Sequence, residues 1–138
     1  MTQNQAAANR LAEKKGTGWR RVYFVFACLM LACIVAQTLL AGLAIFEEPV
    51  YWVWHSMFVK MFTYVPLLML LFTFPGKMDS RMRMGTIGLF ILIYAQYFTA
   101  NLPSAGLLHP VIALFMFGLS VVLVKQSYRI IAGRQEES

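Results

Sequence analysis

The sequence predicts an all-α membrane protein: a four-transmembrane-helix up-down bundle with a pseudo-twofold repeat of two hairpins. Three observations predict it. Four apolar runs, each long enough to cross about 30 Å of hydrocarbon, are separated by short breaks. Only 13% of the residues are charged, against about 25% in a typical soluble domain, too few to cover a water-facing surface. Eleven of the twelve Lys and Arg residues fall in the N-terminal segment, the middle loop or the C-terminal segment. At 138 residues the chain is a single domain by size.

Residues 1–20 are polar, carry Arg10, Lys14, Lys15 and Arg20, and read as a loose tail that can turn helical near the membrane. The first span covers about 21–46, with Trp19 and Tyr23 at the inner interface. Glu47-Glu48-Pro49 ends it. The second span, about 50–74, opens on the aromatic belt of Tyr51, Trp52 and Trp54; Pro66 is placed to kink it, and Pro75-Gly76 closes it. A basic loop from Lys77 to Arg83 leads to the third span, about 84–102. A tight turn at Asn101-Leu102-Pro103-Ser104 leads to the fourth, about 105–124. The segment 126–138 is a second tail.

The outer loops hold Glu47 and Glu48 and no basic residue. The positive-inside rule therefore predicts both termini in the cytoplasm; the membrane is taken to be a bacterial plasma membrane. The short outer loops force each helix pair into a hairpin. The same distribution argues against nucleic acid as a partner, because the basic residues mark segment ends rather than one face. The first apolar run is too long, and too deep in the chain, for a cleaved secretory signal. Cys28 and Cys33, five residues apart in one helix, point to different faces, so a disulfide is not expected and a thiol metal site lacks ligands.

Function in such a chain should sit where polar groups are buried at a cost. These are Gln37, His55, Lys60, Gln96 and His109. At 1.5 Å per residue, His55 lies roughly 7 Å and His109 roughly 6 Å below the outer ends of the second and fourth spans. The two histidines are level, on helices diagonal in an up-down bundle. Gln37 and Gln96 send amides into the same layer from the other two helices. Ala36-Gln37 … Ala41-Gly42-Leu43 and Ala95-Gln96 … Ala100-Asn101-Leu102 share Ala, Gln, Ala and Leu at identical spacing, and a histidine follows on the next helix in each case. Both segments start inside, so they are parallel repeats about an axis along the membrane normal.

Two level imidazoles facing across a bundle suit a haem iron, ligated from opposite faces by His55 and His109. Ala41, Ala100 and Ala113 lie four residues after Gln37, Gln96 and His109, and their small side chains would open a slot for the ring. The glutamines would orient an imidazole or contact the ring edge. The competing readings are helix–helix hydrogen bonding alone, or another ligand such as a quinone or a lone metal. Lys60, roughly 15 Å deep and without an acidic partner in any span, either meets a haem propionate or quinone oxygen or snorkels. Tyr64, Tyr94 and Tyr97 either bond a ligand or pack with satisfied hydroxyls.

Gln37 to Phe46, His55, Gln96 and Leu108-His109-Pro110 resemble a family of small bacterial four-helix membrane proteins of unknown function, over about residues 19–130. The arrangement also resembles one four-helix half of haem A synthase, which carries histidines on its second and fourth helices. That resemblance implies a haem-binding fold. An arginine commonly follows the first histidine there; Ser56 takes its place here, and Val59 stands where a glycine often follows.

The expected function is a small b-type cytochrome with one haem b per chain near the outer leaflet, passing electrons from a quinol or another respiratory membrane protein. Electron carriage is expected rather than stand-alone enzymatic activity. The alternatives are a haem sensor or chaperone and a cofactor-free accessory or assembly subunit; a homo-oligomer is left open. No carboxylate lies in a span and no serine or cysteine is set beside a histidine, which argues against hydrolysis. Nothing in the sequence resembles a selectivity filter.

Overall fold

The computed structural model describes residues 3–133, which are all-helical, with no strand among them. Helix α1 spans Gln3–Phe46, α2 Tyr51–Phe62, α3 Val65–Thr73, α4 Ser80–Asn101 and α5 Leu108–Ala132, with a 3-10 turn at Pro103–Ala105. Three stretches are long and apolar enough to cross a membrane: Lys15–Phe46, Tyr51–Thr73 and Leu108–Ala132. α4 has a comparable length, 22 residues. Its Tyr94, Gln96, Tyr97 and Asn101 lower its hydropathy, and it does not join them.

α1 packs against α2, α3 and α5, and α4 against α3 and α5. The chain thus closes a ring in which α2–α3 faces α5 across the diagonal. The core is built from Tyr23, Met30, Met69, Met82, Leu89, Ile93 and Leu123, all 1% exposed or less. Unbranched methionines fill its irregular gaps. Most other large apolar side chains point outward, as expected of helices solvated by lipid.

Several boundaries depart from the sequence reading. α1 begins at Gln3 and runs for 44 residues, roughly 66 Å, so the described part of the N-terminal segment is helix rather than loose tail. Arg20 is buried there, and its Nε donates to the Gly76 carbonyl at 2.7 Å, tying α1 to the turn after α3. A Cβ at Gly76 would meet the Phe72 carbonyl at 2.9 Å, so that turn needs glycine. The second span is interrupted at Thr63-Tyr64. Pro66 has no N–H to offer the Phe62 carbonyl and its ring crowds that group, so the helix ends and restarts. α4 begins at Ser80, four residues earlier than expected, because Asp79 caps it: its carboxylate accepts from the Met82 N–H at 2.9 Å. α5 begins at Leu108, since Pro103–Ala105 forms a 3-10 turn, and continues through the segment expected to be tail, to Ala132. The residues after 133 lie outside the described part.

Candidate functional site

One end of the bundle holds a partly open cavity of about 890 Å³. It is lined by Gln37, Ala41, His55, Gln96, Ala100, His109 and Ala113, the haem ligands, glutamines and slot alanines expected from the sequence. Lys60 is exposed, outside the cavity lining, and so is not brought to the other site residues. Its position differs from His55 by about 140° around the helix, which turns it away from them.

The two imidazole rings face each other across the diagonal, 6.4 Å apart centre to centre and inclined at 52°. They come together even though His109 stands in the first turn of α5, closer to the helix end than expected. The His109 N–H closes that turn onto the Gly106 carbonyl at 3.1 Å. Trp52 supports His55 edge-on at 5.5 Å.

Each ring is held through Nδ1. That of His55 lies 3.1 Å from the Gln37 carbonyl oxygen. A carbonyl only accepts, so Nδ1 carries a proton, and in the neutral ring Nε2 then holds the lone pair. That of His109 lies 3.3 Å from Thr99 Oγ1. The Thr99 hydroxyl donates to the Ala95 carbonyl at 2.9 Å, with the Gln96 carbonyl at 3.1 Å. It therefore accepts from His109, and the second ring adopts the same tautomer. Among the described residues neither Nε2 has a hydrogen-bond partner.

The glutamines act on the histidine backbones. Gln37 Nε2 donates to the His55 carbonyl at 3.0 Å, and Gln96 Nε2 to the His109 carbonyl at 3.0 Å. In both amides the oxygen is buried with no hydrogen-bond partner.

Thr99 was not singled out in sequence. The signal was its spacing: three residues after Gln96, it shares that residue's helix face. Leu40 stands at the corresponding place in the first half, and there the Gln37 backbone takes over the task. Tyr97 lines the cavity, and its hydroxyl donates to Thr63 at 2.8 Å, since the Thr63 proton goes to the Val59 carbonyl. Tyr64 and Tyr94 are exposed, outside the cavity lining.

The donor set is two neutral imidazole nitrogens in a cavity with mostly apolar walls. Among the described residues no group of three or more His, Cys, Asp or Glu side chains is placed to hold a metal ion. A site of this kind suits a metal that brings its other ligands with it. The cavity falls within the roughly 300–1,000 Å³ of small-molecule sites.

Residues 37–102, a little under half the chain, match a family described as a family of unknown function (DUF6220). The all-helical fold is consistent with a small membrane protein family of unknown function. No curated protein and no solved structure matches the chain. The likeness to haem A synthase thus has the quoted residues alone behind it.

Proposed function

We propose that the protein is a haem-binding membrane protein, a small b-type cytochrome in which His55 and His109 ligate one haem b per chain. The observation that carries this reading is the facing pair of imidazoles, 6.4 Å apart, each held through Nδ1 with Nε2 left for a metal. Ala41, Ala100 and Ala113 keep the cavity walls low, so a flat ring can lie between the helices. Gln37 and Gln96 fix the backbone of each ligand, and Thr99 fixes the His109 ring. Bis-imidazole ligation leaves iron no open position, which favours electron transfer over oxygen chemistry.

In this reading α4 also crosses the bilayer, as a fourth span whose polar residues are covered by the bundle. The matching Gln37–His55 and Gln96–His109 bonds support a pseudo-twofold relation between the two hairpins. Charge distribution supports cytoplasmic termini, which in a bacterial plasma membrane puts the histidines near the outer leaflet. A membrane quinol or a respiratory membrane protein would then be the electron partner.

The test is an optical spectrum of the detergent-purified protein, oxidised and dithionite-reduced, beside His55→Ala and His109→Ala. A sharp reduced α-band of the b type, lost in either variant, is expected. A colourless protein after growth and reconstitution with haem would overturn the reading in favour of an accessory or assembly subunit.

A further inference from the structure

The cavity is not closed on all sides. Val35, Leu39 and Phe46 on α1, and Leu114 and Phe117 on α5, line it and yet are exposed, from 41% to 84%. On the opposite wall, Phe62 of α2 and Ile93 and Gln96 of α4 are buried. The large exposed apolar side chains of the lining therefore belong to one pair of neighbouring helices, α1 and α5, while α4 adds only the small exposed Ala100. Near the other end of the bundle the same two helices touch, with Phe24 and Tyr128 ring to ring at 6.0 Å. α1 and α5 meet there; beside the histidines their exposed lining residues leave a gap in the cavity wall. Gly42 lines that part of the cavity, and a Cβ added to it would meet no atom within 4 Å.

We propose that this gap is a lateral window through which the cavity takes its ligand from the hydrocarbon of the bilayer, not from water. The rim carries no charge. The charged lining residue Glu47 sits just past the end of α1, at the other, aqueous mouth of the cavity. Both rim helices belong to stretches able to cross a membrane, so their exposed side chains lie against lipid tails. The ligand class that fits is planar and lipid-soluble, as a porphyrin is. Its identity rests on the haem reading; the window itself does not.

Two readouts separate these. In a background with Cys28 and Cys33 replaced by alanine, a nitroxide is placed at Gly42→Cys or Leu114→Cys, with Leu89→Cys, buried and outside the cavity lining, as the reference. Power saturation is measured in phosphatidylcholine vesicles with molecular oxygen and a water-soluble nickel chelate. The window predicts strong relaxation by oxygen and little by nickel at positions 42 and 114, and shielding from both at 89. A nickel-accessible label at 42, or one shielded from both probes, overturns it. In the second readout, Gly42→Trp should slow haem uptake from preloaded vesicles by an order of magnitude or more, with the saturated spectrum unchanged. Uptake at the wild-type rate also overturns the window. If the wild type takes up no haem, the haem reading fails and the nitroxide result still decides the window.

Discussion

Thr99 Oγ1 stands 3.3 Å from Nδ1 of His109, with its own proton directed to the helix backbone. The hydroxyl can only accept from the ring, and so holds the tautomer that frees Nε2. Valine keeps the shape and removes the acceptor. Partners of this kind are worth about 10–100-fold in metal affinity. Thr99→Val should weaken haem retention by about that factor, whereas Thr99→Ser should preserve it. Haem titration followed by the reduced spectrum measures both; equal affinities would show that Thr99 does not position the ring.

Gln96 makes a bond and strands an acceptor. Its amide N–H to the His109 carbonyl, at 3.0 Å, is worth about 0.6 kcal/mol in a membrane helix. Its buried Oε1, without a partner, costs about 1–3 kcal/mol. Methionine removes both at similar volume. Gln96→Met should therefore leave thermal stability in detergent unchanged or slightly raised, while loosening the His109 backbone and broadening the haem spectrum. A loss of stability of several degrees would mean that the amide oxygen has a partner in the membrane.

The level histidines, the matched glutamines and the alanines beside them were legible because helical spacing alone converts sequence position into depth and face. The structure brings all of these to one cavity. Thr99 was not legible, because a threonine's role depends on whether its proton is already taken, and that is a matter of local backbone geometry. Pro66 announced a disturbance, but not that it would fall at Thr63-Tyr64, where the helical hydrogen bonding is interrupted while the backbone stays helical. The buried Arg20 looked like a solvated tail residue because its partner, the Gly76 carbonyl, is a backbone group with no sequence signature. Lys60 was visible as an anomaly, but its direction required the helix phase relative to the bundle.

That direction gives a prediction. Lys60 is exposed and does not line the cavity. Lys60→Met should leave the haem spectrum and midpoint potential unchanged. It should also ease insertion, since a lysine near the centre of a span costs about 2.5–3.5 kcal/mol on insertion scales. The fraction of chains integrated into microsomal membranes reports this. A spectral change on Lys60→Met would return the side chain to the site.

Gly85 sets the distance between α4 and α5, away from the histidines. A Cβ there would lie 2.8 Å from Leu123 Cδ2 and 3.8 Å from Leu119 Cδ1, and Leu123 is only 1% exposed. Alanine gains up to about 1 kcal/mol of helix propensity over glycine, which offsets part of an overpacking cost of about 1–3 kcal/mol. Gly85→Ala should thus lower the detergent melting temperature only slightly. Gly85→Val adds bulk against both leucines without that offset, and should be clearly destabilising. Leu123→Ala alone should cost about 2–5 kcal/mol through the space it leaves. Combined with Gly85→Ala, the loss should be smaller than the sum of the two, because the added methyl enters the space that Leu123 vacates. Strict additivity in this double-mutant cycle would mean that α4 and α5 do not pack through these side chains.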